Sequence, residues 1–165
     1  METREAEYGQ FIERMGDLMD EHGLPHMAGR IIGALLICPE AHMSMDELVG
    51  KLSASKGSIS MSTQLLVRIG IVDRISLPGH RKRFYRIREN LWESLFLDRT
   101  DHIDQHVGLV LKGLDLLRNE PIARKRQLIE MQVFFDFLRE ELPGISERWA
   151  SQRDARLEQR LAEHA

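Results

Sequence analysis

Residues 44–90 read SMDELVGKLSASKGSISMSTQLLVRIGIVDRISLPGHRKRFYRIREN, and the changes of hydrophobic period along this stretch decide the fold. Ser44-Met45-Asp46-Glu47 has the form of a capping box, in which a serine hydroxyl and a glutamate carboxylate each satisfy a free backbone amide at a helix start. The helix it opens turns Leu48, Val49 and Leu52 inward. A three-residue break, Ser53-Ala54-Ser55, leads to a second helix from Lys56 to Ile69, with Ile59, Ser62, Leu66 and Ile69 on one face and Gly70 as its stop. The period then changes. Ile71 to Leu77 and Arg83 to Arg88 are β-branched or aromatic runs, joined through Pro78-Gly79 and tipped by His80-Arg81-Lys82-Arg83.

Upstream, Thr3 to His22 spaces Tyr8, Phe11, Ile12, Met15, Leu18 and Met19 as an amphipathic helix closed by Gly23 and Pro25. His26 to Cys38, with Ile31, Ile32, Leu35 and Leu36, predicts a buried helix ended by Pro39. Downstream, Asn90 with Glu93 three residues later predicts a cap for a long helix to about Arg118. Trp92, Phe96, Ile103, Val107, Val110, Leu114 and Leu117 form a near-heptad seam on it. Pro121 starts another helix, which Pro143-Gly144 is expected to end, before a last charged helix over 145–164. The fold class is therefore mainly α with a small β-hairpin wing: a winged helix-turn-helix domain with N- and C-terminal dimerisation helices. The expected divisions are residues 1–23, 24–89 and 90–165.

The formal charge of -3 hides a division along the chain. Between Lys51 and Asn90 stand nine Lys or Arg against only Asp73 and Glu89, a local excess of seven positive charges in an otherwise acidic chain. A basic segment of that kind predicts a phosphate-binding face. In the second helix of the pair, Ser55 is placed to cap, Lys56 to reach phosphate, and Gly57 with Ser58 to let the backbone approach. Helical geometry sends Gly57, Ser60, Met61, Gln64 and Arg68 outward. Gln64 suits two-point pairing with adenine, Ser60 suits either base type, and Met61 suits a thymine methyl. The run His80, Arg81, Lys82 and Arg83 repels itself unless a polyanion lies beside it.

The run Leu48-Val49-Gly50-Lys51-Leu52, Ser55-Lys56-Gly57-Ser58-Ile59-Ser60, Leu66, Gly70-Ile71-Val72 and Pro78 to Tyr85 resembles the GbsR-like branch of the MarR family of winged helix-turn-helix transcriptional regulators. The likeness is specific over residues 26–88 and architectural in the flanking helices. It implies a homodimer on a pseudo-palindromic operator in double-stranded DNA, a repressor released by a small-molecule effector. Members often carry a basic residue near the middle of the recognition helix; here those positions hold Met61, Thr63 and Gln64. Phe11, Met15, Ile103, Val107, Val110, Leu114 and Leu117 are the expected dimerisation surface. Trp92, Phe96, Met131, Phe134 and Phe137 are the candidate effector pocket, weighed against ordinary core. The alternative from a different class is a winged-helix protein–protein interaction module whose basic hairpin docks on an acidic partner.

Other signals carry less. Ser53-Ala54-Ser55-Lys56 matches the S-x-x-K string of penicillin-binding enzymes without its companion motifs. Lys56-Gly57-Ser58 lacks the upstream glycine of a phosphate loop. No enzymatic activity, cofactor or metal is expected. His102 and His106 have metal-ligand spacing but read better as a polar stripe, and Cys38 as a small core residue rather than a redox sensor. Arg124-Lys125-Arg126 reads as a solvated helix face. A single cysteine, no apolar run of membrane length and no secretory segment at METREAEYGQ make the cytoplasm the expected compartment.

Overall fold

A computed structural model describes residues 2–96 and 100–165; the side chains of residues 2, 3, 94–96, 100 and 101 lie outside the description. The chain divides into a unit ending at Leu91 and a unit running from Trp92 to Ala165, each with its own packing.

The first unit is built on two helices that approach closely. α1 (Glu2–Glu21) packs along α2 (His26–Ile37), and glycine makes the crossing possible. A Cβ added at Gly29 would stand 2.5 Å from the Met15 carbonyl oxygen and 2.7 Å from the Gly16 Cα. Ile12 of α1 and Ala28, Ile31, Ile32, Ala34 and Leu35 of α2 are buried there. Leu36, grouped with the buried residues by its apolar character, is exposed. Arg30, on the same helix, pairs with Glu13 at 2.9 Å and donates to the Leu52 carbonyl at 3.0 Å, tying α2 to both its neighbours.

α3 (Met45–Leu52) starts with both bonds of the capping box in place. Ser53 turns the chain in the left-handed region, and α4 (Lys56–Arg68) begins with the Ser55 hydroxyl accepting from the Ser58 amide. Gly70, at φ 83°, closes α4: its amide donates to the Val67 carbonyl and that of Ile71 to the Leu66 carbonyl, the paired bonds of a Schellman end.

β2 (Val72–Ser76) and β3 (Arg83–Ile87) pair antiparallel, with Val72 opposite Ile87 and Ser76 opposite Arg83. Between them Leu77-Pro78-Gly79-His80 turns with the His80 amide on the Leu77 carbonyl and Gly79 at φ 80°. That is the type II pattern, with proline leading and glycine taking the positive φ. A strand absent from the expectations, β1 (Met43–Ser44), completes the sheet in the order β1-β3-β2. Two residues are too few to show alternation, so no period marks it.

The second unit holds α5 (Leu91–Phe96), α6 (Thr100–Leu116) and α7 (Ile122–His164). Continuity of the expected long helix across residues 97–99 lies outside the described residues. Asn90 takes a left-handed backbone, φ 55°, rather than the extended conformation of an N-cap. The expected break at Pro143-Gly144 is also corrected: α7 runs through it as one helix of 43 residues. Proline removes one intrahelical donor, but Phe137 to Glu141 before it and Ile145 to Ala150 after it hold helical backbone on both sides. α6 and α7 form an antiparallel hairpin, with His106 stacked on Phe135 at 4.6 Å and Gly113 against Leu128.

Candidate nucleic-acid interface

The candidate DNA-contacting face is assembled in the first unit by α3, α4 and the hairpin. On α4, Ile59, Ser62, Thr63 and Leu66 are buried, which sends the opposite side outward. Gly57, Met61, Gln64 and Arg68 are exposed there, and Ser58 and Ser60 are half-buried. Met61, at 72% exposure, is an apolar side chain that the core does not use. The Gln64 amide donates to the Ser60 hydroxyl at 3.2 Å, so these two polar groups hold each other on the outer surface. Thr63, one of the mid-helix positions where family members often carry a basic residue, is buried and donates to the Ile59 carbonyl at 2.8 Å. The hydroxyl is satisfied inside its own helix and does not face a groove.

His80, Arg81, Lys82 and Arg83 are all exposed at the hairpin tip. Phe84, next in sequence, is buried and anchors the tip edge-on between His42 and His80, at 5.0 and 5.5 Å between ring centres. The hairpin and α4 meet at Asp46, in the first turn of α3. Its carboxylate is 3.0 Å from the Lys82 Nζ and 3.6 Å from the Lys56 Nζ. The Lys82 hydrogen bond, with the charge of both lysines, holds the Asp46 carboxyl below the usual aspartate range. Lys56 from the start of α4 and Lys82 from the wing therefore lie together on one side of the unit.

The basic segment is less bare than its sequence implies, because folding brings carboxylates in from outside it. Lys51 pairs with Glu5 of α1, and Lys56 and Lys82 with Asp46. Inside the segment Arg86 pairs with Glu89 and Arg88 with Asp73, each at 3.1 Å. Among the described residues, Arg68, Arg74, Arg81 and Arg83 have no carboxylate partner. These four, with the lysine pair at the seam, are the cations a polyanion would meet. Asp46 is not singled out by the sequence pattern; its place in the first turn after a capping serine marks a helix start but not the two lysines that its carboxylate faces.

Outside this face, Phe11 is exposed and Met15 half-buried on α1. In the second unit Ile103, Val107 and Val110 are buried within the single chain, while Leu114 and Leu117 are half-buried. The apolar side chains left exposed there include Leu109, Leu111, Leu116, Ile122, Val133, Phe134 and Phe137. Met131, Phe134 and Phe137 line one open hollow of about 630 Å³ with Gln127, Glu130 and Val133. Trp92 is exposed and is not among those lining residues, and the Phe96 side chain lies outside the description. Glu93 accepts from the Trp149 indole at 3.1 Å. No group of three potential metal ligands occurs among the described residues, and no helix among them is long and apolar enough to cross a membrane. Burial raises the Cys38 thiol above its ordinary pKa.

Comparison with known proteins bears on both units. The family described as MmpR5-like MarR family transcriptional regulator matches residues 90–154, from the last two residues of the first unit through most of the helical second unit. The HTH-type transcriptional regulator MmpR5 of Mycobacterium tuberculosis is 32% identical over 128 residues, 78% of this chain and 78% of that protein. A crystal structure of a transcriptional regulator superposes with a TM-score of 0.76 at 28% identity, covering 88% of this chain and 99% of the other.

Proposed function

This chain belongs to the MarR family of winged-helix transcriptional regulators, and on that premise we propose that α4 and the β2–β3 wing together form its DNA-contacting face. α4 is the recognition helix, entering the major groove with Gly57, Ser60, Met61, Gln64 and Arg68 toward the bases, while the wing carries Arg81 and Arg83 along the neighbouring backbone. The observation that carries this reading is that Lys56 of α4 and Lys82 of the wing lie on one side of the unit, within 3.6 Å of one carboxylate, Asp46. Phosphate contacts from the lysines and free arginines supply affinity, and the short polar face of α4 supplies selectivity.

The protein acts as a homodimer, because one recognition helix spans too few base pairs for high selectivity. A two-fold pair would read half-sites about one helical turn, ~34 Å, apart. Exposed apolar side chains on α1, α6 and α7 support that association. Regulation is by repression from a pseudo-palindromic operator, relieved by a small apolar effector, for which the hollow at Met131, Phe134 and Phe137 is the candidate seat. Within the family, the residues of 48–85 support the GbsR-like branch, while the match over 90–154 supports an MmpR5-like one.

A gel-shift titration on DNA flanking the protein's own gene tests the reading. Salt-sensitive binding that is tighter than to an unrelated duplex of equal length is the expected result. Equal binding to both duplexes at every salt concentration would remove the assignment of a selective operator-binding face.

A further inference from the structure

The seam between helix and wing carries a carboxylate between two cations of the proposed contact face. Asp46 accepts from Lys82 at 3.0 Å and lies 3.6 Å from Lys56, two cations from different elements that both belong to the proposed contact face. All three side chains are more than half exposed. Ion pairs so exposed to water add little to folding stability, so holding the fold together is a poor account of the arrangement. Its position is nevertheless well fixed. The Ser44–Glu47 capping box sets the first turn of α3, and Asp46 lies within that turn.

The other cations of the face sharpen the contrast. Arg68, Arg74, Arg81 and Arg83 have no carboxylate partner among the described residues, whereas the two lysines at the seam share one. A phosphate approaching the seam meets a site that is already half neutralised. It must displace a carboxylate before it can take the lysines, and the freed carboxylate then stays near the DNA backbone as a like charge. The seam therefore contributes about one net cation to binding instead of two, and DNA affinity through counterion release falls accordingly.

Building on the DNA-contacting face proposed above, we infer that Asp46 is an intramolecular competitor for phosphate, which attenuates the sequence-independent part of DNA affinity by occupying Lys56 and Lys82. The device leaves the base-facing residues of α4 untouched. It lowers the protein's retention on DNA of any sequence, which is the background against which an operator must be found.

The test compares wild type, Asp46→Asn and Glu158→Gln by fluorescence anisotropy on a mixed-sequence duplex over a salt titration. Glu158→Gln makes the same one-charge change on α7 and controls for net charge. Asp46→Asn is expected to bind roughly three- to tenfold tighter at low salt. Its plot of log affinity against log salt should steepen by about one phosphate, a slope change of ~0.9. Glu158→Gln should match wild type. Unchanged or weaker binding by a folded Asp46→Asn protein, checked by circular dichroism, overturns the competitor role while wild-type salt-sensitive binding keeps the DNA-contacting face. An equal gain in Glu158→Gln also overturns it, since the effect would then be one of total charge. Absence of wild-type DNA binding even at low salt overturns both.

Discussion

Ser44 and Glu47 exchange two hydrogen bonds, the Glu47 carboxylate accepting from the Ser44 amide at 2.6 Å and the Ser44 hydroxyl from the Glu47 amide at 3.3 Å. The Ser44 hydroxyl first, and its amide second, hold the Glu47 carboxyl below the usual glutamate range. A carboxyl lowered by folding stabilises the native state above its unfolded pKa, and the contribution disappears as pH falls through the lower folded value. Glu47→Gln should therefore unfold at lower urea than wild type at pH 7, with the two midpoints converging in acid. A constant gap across that range would show that the charge plays no part. The wing residues make a different kind of prediction. Arg81→Ala or Lys82→Ala should weaken binding to all duplexes alike and lower the salt slope by about one each. Gln64→Ala should instead shift preference between operator variants, with its salt slope unchanged. Wing variants that match wild type across a salt titration would remove the wing from the interface.

Among the elements, those set by local chemistry could be read from the chain alone. The capping box at Ser44, the serine cap of α4 at Ser55, the left-handed stop at Gly70 and the Pro78-Gly79 turn each depend on residues within a few positions of one another. Elements set by distant partners were not legible. β1 exists because Met43 and Ser44 find Tyr85 and Phe84 some forty residues later. The uninterrupted α7 contradicts the usual weight of an internal proline, and the inward side of the α6 stripe is spent on burial within one chain. Of the candidate face, the exposed side of α4 followed from helical spacing, but the place of the Asp46 carboxylate did not, because it depends on lysines from two other parts of the chain. The crossing of α1 and α2 gives the element-scale prediction. Gly29→Ala would drive a methyl into the Met15 carbonyl and the Gly16 backbone, which only a shift of α1 could relieve. A loss of about 1–3 kcal/mol is expected in denaturant unfolding, and an unchanged midpoint would mean that the two helices do not pack this closely.

At the scale of the molecule, positive charge is concentrated within residues 51–90, in the first unit, while most of the exposed large apolar side chains among the described residues lie on α1, α6 and α7. The proposed homodimer uses the second feature to place two copies of the first. Phe134→Asp, a charge on the exposed face of α7, is expected to halve the mass seen by sedimentation at micromolar concentration and to weaken operator binding. A wild-type chain that sediments as a monomer would contradict the pairing.

The face proposed for α4 and the wing requires both elements to touch one duplex together. Site-directed cleavage tests it most directly, with an iron chelate tethered at Met61→Cys on α4 or at Arg81→Cys on the wing, each in a Cys38→Ser background. On DNA flanking the protein's own gene, the account predicts cuts from both positions, displaced from each other by less than one helical turn. Cleavage from position 61 without any from position 81, or cuts separated by several turns, would contradict it.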